Sequence, residues 1–289
     1  MNELKLCRYG QMLFNRYDMY IGRSLQLYGE FSEGECEVFR QIVRRGNTVV
    51  EVGANIGAHT VPLAQFAGPE GRVVAFEPQR IVFQTLCANV ALNSLINVHC
   101  MQQAVGSEPG SIVVPHINYQ SENNFGGLGL GSFTRGERVL LVTIDSLELG
   151  ACDFVKLDVE GMEQEALLGA QKTIEKFKPV LYVENDREDR SDALVRTLDG
   201  FGYAMYWHLP PYFNPKNFAG NSENIFENLV SKNMICFHQS RPHQIDAPRV
   251  AVPGSSVNPQ PQARSLDPRT RRANVFTNQG VLGIMVFDH

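Results

Sequence analysis

The sequence lacks the features of several large protein classes. No apolar run approaches the roughly 20 residues that a membrane-spanning helix needs, and the first nine residues have no apolar core of signal-peptide length. The six cysteines are scattered and include no C-x-x-C pair, which argues against a zinc site and against a disulfide scaffold. We therefore predict a cytoplasmic protein whose cysteines are mostly buried thiols.

Acidic side chains outnumber basic ones, and the imbalance is uneven along the chain. The net charge is −5, but residues 241–289 hold six arginines and three aspartates, which leaves −8 on the preceding residues. An acidic body is a poor match for a phosphate polyanion, so we do not expect a nucleic-acid partner. Because residues 241–289 also interleave six prolines with polar side chains, we predict that they form a poorly ordered tail.

The preceding residues alternate between short apolar segments and helical patterns. Strands are predicted near residues 48–52, 72–76, 97–101, 154–158, 179–183, 203–207 and 234–238. Helices are predicted near residues 58–67, 79–93, 162–176 and 191–201. This alternation predicts a doubly wound α/β domain over residues 46–240, with a mainly parallel sheet and helices on both faces. The last two strands are expected to form an antiparallel pair at one edge.

Residues 1–45 are predicted to form a small N-terminal β element followed by a helix. Two short strands are expected on either side of a polar turn at Asn15–Asp18. The helix is predicted over residues 32–44, because Ser32 with Glu35 three residues later matches a capping box.

A glycine-rich stretch at residues 121–133 interrupts the α/β alternation. It lies between two further predicted strands, in a region that spans residues 104–153. Its glycine density suits a mobile loop over an active site or a simple connector, and the sequence does not choose between them.

The segment TVVEVGANIG at residues 48–57 joins a buried strand to a glycine-rich turn. Gly53 and Gly57 leave no side chain there, so a bound molecule can approach the backbone closely. The pattern is E-x-G-x-x-x-G, not the dinucleotide fingerprint, and Glu51 would repel a pyrophosphate but suit a cation. Glu77 ends the next strand, where ribose hydroxyls would bind. These features predict S-adenosylmethionine (SAM), a nucleoside with a sulfonium cation and no phosphate.

A further apolar strand ends in Asp158, at the start of a predicted helix. Ligands of open α/β sheets bind beyond the carboxyl ends of the strands, so Glu51, Glu77 and Asp158 would lie on one edge. Glu163 is expected only to stabilise the amino end of the helix, whereas Asp158, at the strand terminus, is predicted to have a functional role.

Three segments resemble the signature blocks of the FkbM-type SAM-dependent methyltransferases. These segments are Val50–Gly57, Ala75–Pro78 and Val155–Glu163. The likeness extends over residues 10–240, and the sequence Asp-Val-Glu-Gly is its more specific part. It implies a seven-stranded Rossmann-like sheet and O-methylation, often of sugar hydroxyls in glycans, glycolipids or glycosylated natural products.

The resemblance also implies contacts with each part of SAM. The methionine end would be lined by Gly53, Asn55 and Gly57 with Glu51 and Asp158 nearby, the ribose would be bound by Glu77, and the adenine would be bordered by Gln103.

Removal of a proton from a sugar hydroxyl needs a base or a metal ion. The catalytic candidates are Asp158, Glu160 and His208, and the sequence does not select the base among them. Asp158 with Glu184 and Asn185 would offer three oxygen ligands on one rim, so Mg²⁺ is an open alternative. This acid-and-amide set is similar to that of metal-dependent O-methyltransferases of the catechol type. The competing interpretations are carboxylates that only bind backbone amides, and a surface histidine.

An aromatic run lies between Tyr206 and Phe213, in a late loop. Aromatic faces pack against the C–H faces of sugar rings, so this loop is predicted to help bind the acceptor. Its alternative role is to close the hydrophobic edge of the domain. The predicted partner is accordingly a glycan or a small molecule with a hydroxyl group.

Three other functions compete with the prediction of a sugar O-methyltransferase. Leu209–Tyr212 resembles the Asn-Pro-Pro-Tyr motif of nucleic-acid methyltransferases, but leucine replaces asparagine and the segment follows the wrong strand. A SAM-binding protein without catalysis is a second alternative, which the intact strand-end acids disfavour. A nicotinamide oxidoreductase is the third, and the glycine spacing disfavours it.

Overall fold

The computed structural model of the protein describes residues 1–129, 131, 133–254 and 283–286. The α-helices within these residues are α1 (Ile21–Tyr28), α2 (Glu33–Ile42), α3 (Thr60–Ala67), α4 (Arg80–Leu92), α5 (Glu163–Leu168), α6 (Gln171–Phe177) and α7 (Glu188–Gly200). The strands are β1 (Asn2–Cys7), β2 (Gly10–Asn15), β3 (Thr48–Val52), β4 (Arg72–Phe76), β5 (Val98–Met101), β6 (Ala104–Val105), β7 (Gly110–Val114), β8 (Glu137–Val142), β9 (Phe154–Leu157), β10 (Val180–Glu184), β11 (Tyr203–His208), β12 (Asn233–His238), β13 (His243–Ile245) and β14 (Ile284–Val286).

A seven-stranded sheet organises the described part of the chain, in the order β11-β12-β10-β9-β3-β4-β5. Strands β10, β9, β3, β4 and β5 run parallel, and β12 is antiparallel to both of its neighbours. The doubly wound, mainly parallel α/β fold is therefore confirmed. The strand order reverses between β3 and β9, and ligands of such sheets bind beyond the carboxyl ends of the strands at this position.

Helices cover both faces of this sheet, because each buried strand presents alternate side chains to opposite faces. Val49 in β3 packs with apolar residues of α2 and α3 on one face. Its neighbour Val50 packs with residues of α5, α6 and α7 on the other face. Two apolar layers thus hold β3 and β9 in the centre of the domain and fix the positions of the turns that follow them.

Three smaller sheets surround the central one. β1 and β2 form an antiparallel hairpin, β6, β8 and β7 form a three-stranded sheet, and β13 pairs with β14. The predicted turn at Asn15–Asp18 is present, with the Asp18 amide donating to the Asn15 carbonyl at 3.0 Å. The strand expected after it is wrong, because the chain enters α1 there and β2 pairs instead with β1, across a reversal at residues 8–9. The Asp18 carboxylate accepts the Tyr20 amide at 3.0 Å, which joins the hairpin to the helix.

Two helix predictions are corrected by local contacts. The helix predicted over residues 162–176 is divided into α5 and α6 at Gly169, where an added Cβ would lie 2.1 Å from a backbone oxygen of Gly106. The Asp145 carboxylate accepts the amide of Thr173 at 2.8 Å, in the first turn of α6, and so stabilises a separate helix start there. The capping box of α2 does not form either, because the Ser32 hydroxyl donates to the Glu35 carboxylate at 2.8 Å.

The described part of residues 241–289 contacts the rest of the chain. The Ile284 amide donates to Gln41 Oε1 on α2 at 3.0 Å, and the Ile284 side chain is buried. Residues 255–282 and 287–289 of the predicted tail lie outside the described residues, so its order stays a prediction, as does the division into three segments. All six cysteines are described and unbridged, and four are buried. None of the described helices is long and apolar enough to cross a membrane.

Candidate active site

The turn after β3 is pressed against the carboxyl end of β9. Gly53 has φ +85°, and a Cβ added to it would lie 1.8 Å from the carbonyl oxygen of Asp158. The amides of Gly53 and Ala54 both donate to the Phe76 carbonyl, at 3.0 and 2.9 Å. The turn is thus fixed between the ends of β4 and β9, and glycine is required at residue 53 by both the backbone angle and the close approach.

Glu77 follows β4 and faces the same turn. Its carboxylate accepts the amide of Asn55 at 3.0 Å and the amide of Gln79 at 2.8 Å. The side chain is almost fully buried, and this burial raises its pKa to about 7. Each carboxylate oxygen accepts one amide and keeps a second lone-pair direction, which a ribose hydroxyl can use.

The sequence predicts Glu51 at the mouth of the site, but the structure places it beneath the turn. Its side chain is fully buried, with Oε2 accepting the Thr60 hydroxyl at 2.6 Å. Its Oε1 is buried without a hydrogen-bond partner among the described residues. Burial raises the pKa of Glu51 to about 7, although the Lys156 ammonium acts in the opposite direction.

Three carboxylates gather at the ends of β9 and β10. One oxygen from each of Asp158, Glu160 and Glu184 lies within 4.8 Å of the others, and we call this set the acidic cluster. Two of these carboxylates have cationic partners. Lys156 Nζ lies 2.7 Å from Asp158, and Arg187 pairs with Glu160.

The pKa values of the three carboxylates in the acidic cluster are shifted in different directions. Burial tends to raise the pKa of Asp158, but the Lys156 ammonium outweighs it and holds the value below the usual range. Burial, followed by the charge of Asp158, raises the pKa of Glu184 well above its usual range. Burial raises the pKa of Glu160 to about 7, although Arg187 acts in the opposite direction. Asp158 is therefore the carboxylate of the cluster that is ionised at neutral pH, with about a third of its side chain exposed.

The glycine-rich stretch lies over the turn. The Phe125 carbonyl accepts the side-chain amide of Gln79 at 2.8 Å, and Phe125 is buried. A Cβ added to Gly126 would lie 2.9 Å from the side-chain nitrogen of Asn55. The described part of this stretch is thus packed on the turn and on the loop after β4, where it borders the candidate site.

His208 does not have the surroundings of a surface histidine. It is the last residue of β11 and is buried, with Nδ1 2.9 Å from the Tyr182 hydroxyl. Burial lowers its pKa to about 4, so the ring is neutral at pH 7. The surface alternative is wrong, and the catalytic assignment of His208 stays a prediction.

The other predicted residues have simpler surroundings. The side-chain nitrogen Nδ2 of Asn185 donates to the Met234 sulfur at 3.4 Å, and Asn185 is buried. Glu163 accepts the amides of Val159 and Gly161 at 3.1 and 3.0 Å, which fits its expected role at the amino end of α5. Gln103 lies two residues beyond β5 and is partly buried, and its contact with adenine stays a prediction.

Four aromatic rings pack together, and one of them, Tyr212, lies near the acidic cluster. Phe31 packs against Tyr212, with centroids 5.8 Å apart, and Tyr20 packs against both Tyr212 and Phe226. We call Tyr20, Phe31, Tyr212 and Phe226 the aromatic wall. Burial, followed by the negative charges of Glu35 and the acidic cluster, raises the pKa of Tyr212, so this ring lies within range of those charges.

Sequence reasoning missed two groups of residues near the site. The first consists of Tyr20 and Phe31 of the aromatic wall. The fold places them against Tyr212, which is far away from them in sequence. The second is Lys156 with Glu35, both buried. A lysine within an otherwise apolar parallel strand was a usable signal, because a buried lysine requires carboxylate partners.

Glu77 provides a direct test of the cofactor assignment. Replacing Glu77 by alanine removes the carboxylate that faces the turn, so SAM should bind about 10- to 100-fold more weakly, as expected for the loss of hydrogen bonds to a charged group. Calorimetric titration with SAM measures this change. Glu70→Ala, an exposed acid at the other end of the same strand, is the control and should bind SAM normally. Normal SAM affinity in Glu77→Ala would refute the ribose assignment.

The chain is similar to known proteins in sequence and in fold. A family model described as the Methyltransferase FkbM domain matches residues 51–205, more than half of the chain. No protein of curated function is matched.

Solved structures with a related fold have low sequence identity to this chain. One is a precorrin-6y C5,15-methyltransferase from Geobacter metallireducens, with a TM-score of 0.47, 13% identity, and coverage of 71% of this chain and 87% of that one. A second is a methyltransferase FkbM from Methylobacillus flagellatus, with a TM-score of 0.45, 18% identity, and coverage of 75% and 55%. A third is a fibrillarin from Aeropyrum pernix in complex with S-adenosyl-L-methionine, with a TM-score of 0.43, 10% identity, and coverage of 82% of each chain.

Proposed function

Because this chain belongs to the FkbM family of SAM-dependent methyltransferases, we propose that it transfers a methyl group from SAM to a hydroxyl oxygen of a sugar. The family establishes methyl transfer from SAM, and the sugar acceptor and the roles of individual residues are the proposal. The acceptor would be part of a glycan, a glycolipid or a glycosylated natural product.

The residues around the turn fit a cationic nucleoside. Oε1 of Glu51, which has no hydrogen-bond partner within the described part of the chain, lies beneath the turn, and Gly53 leaves room where a Cβ would collide with Asp158. We propose that Gly53, Asn55 and Gly57 border the methionine end of SAM and that Glu77 accepts its ribose hydroxyls. When bound, SAM supplies a methyl group that is electrophilic because it is attached to a sulfonium.

The aromatic wall beside the acidic cluster is the observation that carries the sugar acceptor. A sugar ring has apolar C–H faces and a polar rim of hydroxyls, so it needs an aromatic surface and hydrogen-bond acceptors together. Tyr212 is part of the wall, and the charges of Asp158 and Glu184 contribute to its raised pKa. A ring stacked on the wall would direct hydroxyls toward these carboxylates.

A small polar cavity borders one member of the acidic cluster, Glu184. It measures about 220 Å³ and lies between the loops after β9 and β10 and the first turns of α7. Its lining includes Gln164, Glu184, Asn185 and Arg187, which offer both donors and acceptors of hydrogen bonds. Since pockets for drug-sized ligands are roughly 300–1,000 Å³, this cavity suits a single ring better than a long chain.

We assign proton removal to Asp158. Its carboxylate is ionised at neutral pH, partly exposed, and held in place by Lys156. A weak base suffices, because the acceptor oxygen becomes strongly acidic as its bond to the methyl carbon forms and the bond between that carbon and sulfur breaks. The hydroxyl proton then passes to Asp158, and the bonding electrons of the broken bond stay on sulfur.

The charges around the acidic cluster favour transfer without a metal ion. Lys156 and Arg187 already compensate Asp158 and Glu160, and Glu184 binds a proton readily because its pKa is raised. Little net negative charge is left to bind a divalent cation, so we expect the chelator EDTA to leave turnover unchanged. Loss of turnover in EDTA, with recovery in Mg²⁺, would instead favour the acidic cluster as a metal site.

Methyl transfer to glycans tests the acceptor directly. The purified protein is incubated with SAM that is radiolabelled in the methyl group and with cell-envelope polysaccharides, glycolipids or total RNA, with and without EDTA. We expect label in a glycan sample, and hydrolysis of that sample should release a mono-O-methyl sugar.

Two outcomes would contradict the proposal. Label confined to RNA would favour a nucleic-acid methyltransferase, and the truncation of residues 241–289 would then show whether the arginine-rich segment supplies RNA affinity. Tight SAM binding without any transfer to the full panel would favour a binding protein without catalysis.

A further inference from the structure

A buried lysine occupies the middle of the central sheet. Lys156 lies on β9, opposite Glu51 of β3 and Tyr182 of β10 in the strand register. Its side chain is only 2% exposed. Among the buried polar side chains of the described residues, it is the one lysine or arginine. An ammonium in such a place needs carboxylate partners, because desolvation of a charge is costly.

Acids from three parts of the fold compensate Lys156. Its Nζ lies 2.7 Å from Asp158 Oδ2, at the end of its own strand. Burial acts to lower the pKa of Lys156, yet the charges of Asp158, Glu51 and Glu35 outweigh burial and raise it. Lys156 therefore carries a permanent positive charge among the carboxylates that surround the cofactor turn.

Glu35 links this charge to the amino-terminal helix α2. Its carboxylate is buried, accepts the Ser32 hydroxyl at 2.8 Å, and lies 3.9 Å from His59 Nε2. His59 is buried as well, and its pKa is lowered to about 3, by burial first and by Lys156 second. His59 is therefore neutral, and Lys156 is the cation whose charge acts on Glu35 as well as on Asp158 and Glu51.

We propose that Lys156 is a positioning residue that sets the net charge of the cofactor pocket. It holds Asp158 in place, and it limits the preference of the pocket for SAM over S-adenosylhomocysteine, which lacks the sulfonium charge. The proposal requires SAM in this pocket but not a sugar acceptor. The acids whose charges act on Lys156 are Glu35, Glu51 and Asp158, and Asp158 lies with Glu160 and Glu184 in the acidic cluster.

This role follows from how the charge of the donor changes during the reaction. Positive charge leaves the sulfur as the methyl group is transferred, so strong anionic surroundings stabilise bound SAM more than the transition state. A fixed ammonium beneath the pocket weakens that excess stabilisation. It also lowers the discrimination against the product, which has lost the charge.

The affinity ratio of the two ligands isolates this effect. SAM and S-adenosylhomocysteine differ by one methyl group and one charge, so structural damage to their shared contacts cancels in the ratio of their dissociation constants. Titration calorimetry at pH 7.5 measures both constants in the full-length protein without an acceptor. A failure to find a methylated glycan therefore leaves this measurement unaffected.

The variants change the charge in both directions. Lys156→Met keeps the stem and removes the ammonium, and it should raise the preference for SAM over S-adenosylhomocysteine roughly tenfold, the order expected for one charge roughly 12 Å from the sulfonium at an effective dielectric of about 20. Glu35→Gln should lower the preference several-fold. Lys156→Arg, which keeps the charge, and Lys172→Met, the same substitution on exposed α6, should leave the preference within twofold of wild type.

The double variant Lys156→Met/Glu35→Gln removes one charge of each sign. Its ligand preference should return to within threefold of wild type, and it should unfold at a higher temperature than Lys156→Met. If both affinities of Lys156→Met fall together and the ratio is unchanged, Lys156 has only a structural role and the proposal is wrong. If Lys156→Met does not fold, Glu35→Gln decides, because a ratio equal to wild type would contradict the proposal.

Discussion

Replacing Asp158 by alanine should reduce methyl transfer by at least about a hundredfold while SAM affinity changes by no more than about tenfold, or ~1.4 kcal/mol. Asp158 is the ionised member of the acidic cluster and the one that we expect to accept the hydroxyl proton. Its loss removes the base but leaves Glu77 and the glycine turn to bind the cofactor. Single-turnover transfer of a labelled methyl group and calorimetric titration with SAM measure the two quantities separately.

Asp153 provides the matched control for this prediction. It lies just before β9, at the opposite end of the strand from Asp158, and accepts the Thr48 amide at 2.8 Å. Asp153→Ala should lower stability by the loss of that hydrogen bond, about 1 kcal/mol, and leave turnover unchanged. Unchanged turnover in Asp158→Ala would remove Asp158 from the mechanism.

The second large effect is expected at Gly53, where Gly53→Ala should abolish SAM binding and strongly destabilise the domain. The backbone has φ +85° there, and the new Cβ would meet the Asp158 carbonyl oxygen at 1.8 Å. Because this neighbour is backbone on a central strand, it cannot move aside without disturbing β9. Denaturant unfolding measures the stability change, and titration with SAM measures the binding.

Gly46 separates the collision from the backbone angle. It has nearly the same angle, φ +86°, but an added Cβ would meet no atom within 4 Å. Gly46→Ala should therefore cost only the left-handed conformation, about 1–2 kcal/mol, and leave SAM affinity unchanged. If Gly53→Ala behaves like Gly46→Ala in both measurements, the turn is not held against β9 as described.

The sequence predicts the central sheet well because its strands are buried on both faces. Mainly apolar segments such as Thr48–Val52 and Phe154–Leu157, each with a single charged residue, have little choice of partner, and alternation with helices then dictates parallel pairing. The strand-end positions of Glu77 and Asp158 follow from the same pattern. These strands and strand-end residues can be predicted because the residues that determine their positions are close to them in sequence.

Contacts between distant segments explain the errors. The break at Gly169 depends on Gly106, which lies far away in sequence. Glu35 fits a local capping pattern, but its carboxylate is buried in the core, within range of the charge of Lys156 on β9. The burial of His208 likewise depends on Tyr182, 26 residues before it. No local pattern contains these partners.

A crystal structure with SAM tests the central claim most directly. The account predicts that the ribose hydroxyls lie within hydrogen-bond distance of Glu77 and that the sulfonium lies between the Gly53–Gly57 turn and Asp158. A cofactor bound elsewhere, or a pocket that stays empty at saturating SAM while a phosphate-bearing nucleotide enters it, would contradict the account.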